Sequence, residues 1–247
     1  MIKYIFLGAV QGLTEFLPVS SSGHLVIIQK LLGMLHDQIA LSVVLHLGTA
    51  AALMVFFFKD LLGLIKDTRL LLLILVTTVI TSVIGLAGKD FFEQLFNSAM
   101  MVGFAWICTG VLLLITKKFS KEKKEEVNFK DAAVLGLTQS IAIIPGISRS
   151  GMTISTLLLR GINRENSFRF AFLIAIPVIL GAAVVEGKEI NFALQVNFAN
   201  FISGFIASFL TGIFSLRLIK VMVRKAQLHY FGIYCIAAGI ATILFIR

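Results

Sequence analysis

The chain has 247 residues, of which 58% are hydrophobic and 14% are charged. Soluble domains average about 25% charged residues and somewhat under 50% apolar residues, so this composition excludes an ordinary soluble domain, a disordered chain and a coiled coil. The net charge of +9 comes from basic residues clustered between apolar runs, which is typical of membrane loops and unlike a nucleic-acid-binding stripe. The sequence predicts one integral membrane domain, residues 1–247, with no nucleic-acid partner.

Six apolar runs are predicted to cross the membrane, because about 20 apolar helical residues span the hydrocarbon core of a bilayer. Two further apolar regions, 2–35 and 131–160, are interrupted by short polar stretches at Pro18–Gly23 and Pro145–Gly151. Proline, serine and glycine disfavour a helix interior, so each region is predicted to be a re-entrant hairpin of two half-helices joined by a tip. The predicted fold class is all-α and polytopic. The six predicted spans are 38–58, 70–88, 99–116, 168–186, 199–216 and 230–246.

The two hairpins carry matching residues and are predicted to be copies of one repeat. The aligned pairs are Gln11 with Gln139, Ser20 with Ser148, Ser22 with Ser150, and Gly23 with Gly151. Each hairpin is followed by three predicted spans, and an odd number of spans means that the second copy enters the membrane in the opposite orientation. The sequence therefore predicts an inverted-topology repeat, with repeat A at 1–116 and repeat B at 131–247, and a functional site at the repeat interface.

Basic residues in the loops predict the orientation, because cytoplasmic loops carry more lysine and arginine. Loops 89–98 and 187–198 have one basic residue each and are predicted to lie outside. Segment 131–167 then starts and ends in the cytoplasm, and segment 1–37 starts and ends outside. The loops rich in basic residues, predicted to be cytoplasmic, are 59–69, 117–130, 160–169 and 217–225.

Two ionisable residues, Glu15 and Arg149, lie well inside apolar regions. Such a residue costs about 2.5–3.5 kcal/mol on insertion scales and therefore indicates a functional site. Gln11 and Glu15 share one helical face directed at the first tip, and His24 directly follows that tip. A guanidinium matches phosphate oxygens and half-helix N-termini add donors, so the predicted ligand is an anion, with phosphate favoured. The other candidate ligand-binding residues in the tips are Ser20, Ser21, Ser22, Ser148, Ser150 and Gly151.

Structural roles compete with these functional ones. The tip serines also suit helix capping, and Glu15 with Arg149 also suits an ion pair between the two repeats. Glu15 is open as a metal ligand or a general base, and His24 as a base, an acid or a nucleophile. For His46, which lies inside a span, a structural role is favoured over a role in the site.

The segments 11–24 and 145–153 resemble the bacterial undecaprenyl-diphosphate phosphatases, also called bacitracin-resistance proteins, and the resemblance extends over the full length of the chain. It implies an integral membrane hydrolase with two re-entrant hairpins in an inverted repeat. It also implies removal of one phosphate from undecaprenyl diphosphate, which returns undecaprenyl phosphate to peptidoglycan precursor transport. The expected location is the bacterial cytoplasmic membrane, with the active site open mainly to the periplasmic side.

By motif, the resemblance implies that Glu15 is a metal ligand or general base and that Arg149 clamps the phosphate. Ser21 and His24 match the other catalytic positions, and the nucleophile is left open between these two residues and water. A divalent cation, Mg²⁺ or Ca²⁺, is implied as the cofactor. Many family members carry a glutamate where this chain has Gln11, whose amide can ligate a metal through its carbonyl oxygen but cannot ionise.

A lipid transporter is the alternative from another functional class, because inverted repeats with broken helices also build transporters. A flippase would bind the same lipid phosphate and move it across the membrane without hydrolysis. Phosphate release from a prenyl diphosphate by the purified protein distinguishes the two. The expected partners are a polyprenyl diphosphate and membrane lipids, and a homodimer is left open as the oligomeric state.

Overall fold

The computed structural model describes residues 1–33, 38–96, 98–188 and 198–246. Every helix assigned in these ranges is an α-helix and no strand is assigned in them, which confirms the predicted all-α class. The helices are α1 (Ile2–Phe16), α2 (Ser21–Leu31), α3 (Gln38–Phe56), α4 (Phe58–Leu64), α5 (Thr68–Ala87), α6 (Lys89–Phe96), α7 (Ala99–Phe119), α8 (Phe129–Ile141), α9 (Arg149–Leu159), α10 (Arg164–Gly187), α11 (Phe198–Arg224) and α12 (His229–Phe245).

Both interrupted regions form two half-helices, as predicted. The helix α1 ends before Pro18, and Leu17 adopts the extended conformation (φ −69°, ψ 144°) that the residue before a proline favours. Ser20 then caps α2, and Ser148 caps α9 in the same way, each through its side-chain oxygen. Residues 34 and 35, at the end of the first predicted region, lie outside the described residues.

Each of the six predicted spans corresponds to a helix: α3, α5, α7, α10, α11 and α12. The first five are long and apolar enough to cross a membrane, and α12 is an apolar helix of 17 residues. The chain is thus an all-α polytopic membrane protein. Two short helices, α4 and α6, lie mainly in the segments 59–69 and 89–98, which the sequence predicts to be connecting loops.

The outward faces of the spanning helices expose large apolar side chains. Val83 of α5, Phe104 of α7, Leu210 of α11 and Ile233 of α12 are between 47% and 59% exposed. Soluble proteins rarely expose broad apolar faces of this kind, whereas lipid tails are as apolar as these side chains. These faces therefore fit a lipid environment.

Small residues allow close packing of α1 against α11 and of α7 against α12. A Cβ atom added at Gly12 would lie 2.1 Å from the hydroxyl oxygen of Thr211. A Cβ atom added at Gly103 would lie 3.0 Å from the carbonyl oxygen of Gly239. Glycine at such contacts lets helix backbones approach closely in a membrane. Since α1 and α11 belong to different predicted repeats, this packing places the helix that carries Glu15 against the other repeat.

The two hairpins open at opposite ends of the helix bundle. Asp131 at the start of α8 is buried and pairs with Arg160, just after α9, at 2.7 Å, so both ends of this hairpin lie together. Tyr4 near the start of α1 packs against Phe201 near the start of α11, and the end of α2 joins the same apolar cluster. The other end of α11, at Arg224, is 2.6 Å from a carboxylate in the first turn of α10, which directly follows α9. The repeat boundaries and the orientation in the membrane stay predictions.

Lys123 and Lys188 lie at opposite ends of α10 and provide a test of topology. The backbone N–H of Lys123 donates to Gly161 just before α10 begins, whereas Lys188 follows its last residue. In a chain without Cys108 and Cys235, Lys188→Cys is expected to react with an impermeant thiol reagent in intact cells, and Lys123→Cys only after lysis. The physical reason is that α10 has 24 residues and rises about 1.5 Å per residue, enough to separate the two positions by a bilayer.

Labelling before and after lysis shows on which side of the membrane each single cysteine lies, with the cysteine-free chain as the control. Equal labelling of the two positions in intact cells would contradict the inverted repeat. Both chains must be present at the same level in the membrane for the comparison to count.

Candidate active site

The two tips contact each other inside the bundle. The side-chain oxygen of Ser20 accepts the backbone N–H of Gly146 at 3.2 Å, and Ser150 Oγ donates to the backbone oxygen of Leu17 at 3.1 Å. Each tip therefore provides a hydrogen-bond partner for a backbone group of the other. Unpaired backbone groups are costly at membrane depth, so these bonds stabilise the non-helical segments and fix the two hairpins relative to each other.

Ser20 has a backbone conformation that residues other than glycine rarely adopt, with φ of 66°. Such a conformation costs of order 1–3 kcal/mol and persists only where neighbouring contacts enforce it. The side-chain oxygen of Ser20 also accepts the N–H of Gly23, and its carbonyl oxygen accepts a hydrogen bond from Nδ1 of His24 at 2.7 Å. These contacts enforce the strained conformation and position the first turn of α2, including Ser21.

Glu15 is the centre of a hydrogen-bond network, and its side chain is only 2% exposed. Arg149 of the other tip pairs with Oε1, and the hydroxyl of Ser21 donates to Oε2. The amide nitrogen of Gln11 donates to Oε2 at 3.0 Å, and Nε2 of His46 lies 3.7 Å from the same oxygen. A buried carboxylate is tolerated only with partners of this kind. The structure thus brings together four candidate residues predicted from the sequence: Gln11, Glu15, Ser21 and Arg149.

His24 lies in a second polar group at the first tip. Its Nδ1 atom must carry the hydrogen, because the carbonyl oxygen of Ser20 can only accept, and Nε2 is then the acceptor in the neutral ring. The hydroxyl of Tyr234 is 2.6 Å from Nε2, and the two rings are stacked with centroids 5.8 Å apart. Trp106 packs edge-on against His24 at 4.9 Å. Both nitrogens of His24 are therefore engaged, whereas the hydroxyl of Ser21 is directed at the carboxylate.

The remaining candidate residues of the tips have partners within the tips. The side-chain oxygens of Ser20 and Ser22 are 3.2 Å apart, and those of Ser148 and Ser150 are also 3.2 Å apart. The backbone N–H of Gly151 donates to Ser148 Oγ at 3.1 Å. The capping role considered for the tip serines is therefore present at two of them. The phosphate-binding role of these five residues stays a prediction.

Two oxygen-bearing side chains at the site, Glu15 and Gln11, fit a divalent cation that also contacts a bound phosphate. Within the described ranges, no three His, Cys, Asp or Glu side chains come together to hold a metal ion. Mg²⁺ is commonly held by one or two carboxylates plus substrate phosphates, and Glu15 provides one carboxylate. The carbonyl oxygen Oε1 of Gln11 is buried and has no hydrogen-bond partner. These two residues are therefore suited to hold such a cation together with a phosphate.

A layer of phenylalanine rings lies next to the site and extends toward the basic loops. Phe16 follows Glu15 and meets Phe172 edge-on, with 5.7 Å between ring centroids. Phe172 in turn packs against Phe57 and against Phe168, which lies near the start of α10. The small cleft at Glu15 is itself lined by Phe16 and Phe172.

His46 and Tyr234 contact the site, although the sequence favours a structural role for His46 and does not mark Tyr234 as a candidate. The available signal for His46 is that it is an ionisable residue inside an apolar span. Tyr234 lies on α12, which carries no motif, so only its tertiary contact with His24 reveals it. Long-range contacts of this kind depend on helix packing and leave no trace in local sequence.

Tyr234→Phe is expected to lower kcat about two- to tenfold, because one net hydrogen bond contributes about 0.5–1.5 kcal/mol. Without the hydroxyl of Tyr234, Nε2 of His24 has lost its partner, and one of the contacts that orient the ring is removed. Phosphate release from a polyprenyl diphosphate, the reaction that the resemblance implies, measures the effect, with kcat and KM determined separately. Tyr230→Phe is the matched control, one helical turn away and 55% exposed. Equal activity of the two variants would contradict a positioning role for Tyr234.

Comparison with known proteins identifies the family. The model of the family described as bacitracin resistance protein BacA matches residues 4–241. The chain is 44% identical over 252 residues to the undecaprenyl-diphosphatase of Halothermothrix orenii, covering 99% of this chain and 97% of that protein. It is 44% identical over 248 residues to that of Carboxydothermus hydrogenoformans, covering 97% and 95%. On this match along nearly its whole length, the chain belongs to the BacA family of bacitracin resistance proteins.

Proposed function

We propose that this protein removes the terminal phosphate of undecaprenyl diphosphate. The product, undecaprenyl phosphate, then serves another round of peptidoglycan precursor transport, and this recycling confers bacitracin resistance. The observation that carries the proposal is the convergence of Arg149 and Ser21 on the buried Glu15 where the two tips meet. Family membership supports the substrate, since relatives at 44% identity are named undecaprenyl-diphosphatases.

Arg149 binds the terminal phosphate in this proposal. Its side chain is 22% exposed, and its guanidinium pairs with Glu15. A guanidinium has five N–H donors in a planar fork, so the group retains donors for phosphate oxygens while one edge stays on the carboxylate. Phosphoryl transfer depends mainly on positioning and on neutralising charge at the phosphate oxygens. Arg149 supplies both at the repeat interface.

Ser21 is the proposed nucleophile, because its hydroxyl donates to Glu15 and the carboxylate can accept that proton during attack. A bond forms between Ser21 Oγ and the terminal phosphorus. The bond from this phosphorus to the bridging oxygen breaks, and undecaprenyl phosphate leaves with the electron pair. Water then attacks the phosphoserine, Ser21 recovers its proton from Glu15, and the proton of the water leaves with inorganic phosphate. His24, whose ring nitrogens are both engaged, positions the tip.

A divalent cation, Mg²⁺ or Ca²⁺, is the proposed cofactor, held by Glu15 and Gln11 together with the substrate. When bound, it withdraws negative charge from the phosphate oxygens. The buried and unpartnered carbonyl oxygen of Gln11 supports this assignment. Because one carboxylate is available in this pair, further ligands such as the substrate phosphates would complete the coordination.

The proposed location is the cytoplasmic membrane of a bacterium, with the site open to the outer side. Ion pairs join the loops that the sequence predicts to be cytoplasmic. Arg169 is 2.5 Å from Asp60, and Arg224 is 2.6 Å from Glu165. These loops therefore lie at one end of the bundle, which is the end toward which the phenylalanine layer extends. We propose that the phosphate group enters from the other end of the bundle, which places the site on the outer side.

The test is phosphate release by the purified protein in detergent with undecaprenyl diphosphate and Mg²⁺. We expect the protein to release inorganic phosphate and Ser21→Ala to be inactive. Ser203→Ala is the control, since the hydroxyl of this serine donates to the backbone oxygen of Asn200 within α11. Specific binding of the lipid without phosphate release would contradict hydrolysis and favour the flippase.

A further inference from the structure

We propose that His46 is a third protein ligand for the divalent cation, together with Glu15 and Gln11. The inference rests on the proposed metal-dependent function and deepens it, because a nitrogen ligand changes which cation the site prefers. The starting observation is that His46 Nε2 lies 3.7 Å from Oε2 of Glu15, although the two residues are on different helices. The side chain of His46 is 23% exposed and so stays accessible to an ion.

The first supporting observation is the hydrogen bond on the far side of the His46 ring. Nδ1 lies 2.8 Å from the carbonyl oxygen of Ser42, which can only accept, so Nδ1 carries the hydrogen. In the neutral ring the lone pair is then on Nε2, the atom that faces Glu15. Metal-binding histidines almost always donate their other ring N–H to a carbonyl or carboxylate in this way, which fixes the orientation of the ring.

The second supporting observation is the chemistry of the groups around Oε2 of Glu15. Gln11 Nε2 and Ser21 Oγ donate to this oxygen, and the imidazole of His46 faces it. A carboxylate oxygen has about two acceptor sites. An imidazole and an amide can each present a lone pair to a cation, whereas Arg149 cannot and remains on the other oxygen. A cation at Oε2 can therefore recruit Gln11 and His46 while Ser21 keeps its hydrogen bond.

The third supporting observation concerns the orientation of the Gln11 amide. Its Oε1 atom is buried and has no partner, while Nε2 occupies the position beside Glu15. A half-turn of the amide exchanges these two atoms; it breaks the hydrogen bond that Nε2 donates to Glu15 and no hydrogen bond at Oε1. That rotation directs the carbonyl oxygen at the carboxylate, where only a cation can be shared between the two oxygens. The buried Gln11 is thus ready to become a ligand.

One imidazole nitrogen changes the expected cation preference. Oxygen ligands alone suit Mg²⁺ and Ca²⁺, whereas an imidazole also suits transition metals, and Mn²⁺ accepts both ligand types. We therefore expect the site to bind Mn²⁺ more tightly than Ca²⁺ because of His46. Without the imidazole, the ratio of the two affinities is expected to fall.

The experiment uses the full chain in detergent with Mn²⁺ as the probe, since pulsed electron paramagnetic resonance detects a nitrogen bound to this ion. We expect nitrogen coupling in the unaltered protein, its loss in His46→Gln, and its retention in His24→Gln, which removes the histidine at the first tip. Mn²⁺ titrations are expected to show at least about a tenfold rise in Kd for His46→Gln, since even outer partners of metal ligands contribute 10–100-fold. The Kd for Ca²⁺ is expected to change less.

Nitrogen coupling that persists in His46→Gln would overturn the proposal, as would bound Mn²⁺ without coupling in the unaltered protein. Absence of Mn²⁺ binding would overturn it too. Each of these results leaves the phosphatase proposal standing if the same preparation releases phosphate. Failure of phosphate release with normal Mn²⁺ coupling would instead overturn the proposed function and leave His46 as a ligand.

Discussion

Arg149→Lys is expected to lower the rate of phosphate release at saturating substrate by about 10²–10³-fold, the loss typical of removing one strong transition-state donor. Lysine keeps the positive charge opposite Glu15, so the buried carboxylate retains a counter-ion and the protein is expected to keep its thermal stability. An ammonium cannot present the planar fork of donors to phosphate oxygens. The loss therefore reports catalysis and not folding. The measurements are the turnover rate and the melting temperature in the same detergent.

The matched control for Arg149→Lys is Arg160→Lys at the other end of α9. Arg160 also pairs with a buried carboxylate, Asp131, but this carboxylate has Lys124 as a second partner and lies at the base of the hairpin. This variant is expected to retain turnover close to that of the unaltered protein. Arg149→Ala is a weaker test, because it leaves Glu15 buried without a charged partner and costs about 3–5 kcal/mol of stability. Turnover of Arg149→Lys near the normal rate would contradict the phosphate clamp.

Glu15→Gln is expected to abolish phosphate release at every Mg²⁺ concentration. The amide cannot take the proton of Ser21, cannot neutralise Arg149 and is a weaker cation ligand than a carboxylate. Gln11→Glu is expected to be tolerated and to lower the Mg²⁺ concentration needed for half activity, because it adds a second carboxylate at i and i+4 on the same helical face. The measurement is phosphate release against Mg²⁺ concentration for the two variants.

Opposite outcomes of these two substitutions separate the roles of the two positions. Near-normal turnover of Glu15→Gln would contradict a catalytic role for Glu15 and for the motif that contains it. An unchanged Mg²⁺ requirement in Gln11→Glu would place position 11 outside the coordination sphere. Gln139→Glu is the control, because Gln139 is the aligned residue of the second hairpin and its amide nitrogen donates to Thr81, away from Glu15. This control is expected to leave the Mg²⁺ requirement unchanged.

The sequence by itself determined the spanning helices, the two interruptions and most of the candidate residues of the site. Helix breaks at Pro18 and Pro145 and caps at Ser20 and Ser148 depend on contacts within a few residues, so local sequence encodes them. Apolar length encodes the spans. The high cost of an ionisable residue in lipid identified Glu15 and its partner in the other hairpin as functional candidates without any knowledge of their contacts.

Only the tertiary structure decided which of these candidates contact each other. Arg149 and Glu15 are 134 positions apart, and Tyr234 and His24 are 210 apart. Such pairs depend on the depth and rotation of each half-helix, which are set by backbone contacts such as that of Gly12 with α11. An apolar pattern shows that a helix crosses the membrane, but lipid and protein neighbours are both apolar, so the pattern does not show which face meets which helix.

The tip hydroxyls illustrate the same limit at the level of single atoms. A serine both donates and accepts, so its presence in a tip is compatible with capping, with proton transfer and with ligand binding. The structure separates these roles: Ser20 and Ser148 cap helices, whereas Ser21 donates to Glu15. The distinction depends on where each hydroxyl points after the two hairpins have packed together. Only the folded chain defines that direction, because it results from contacts between distant segments.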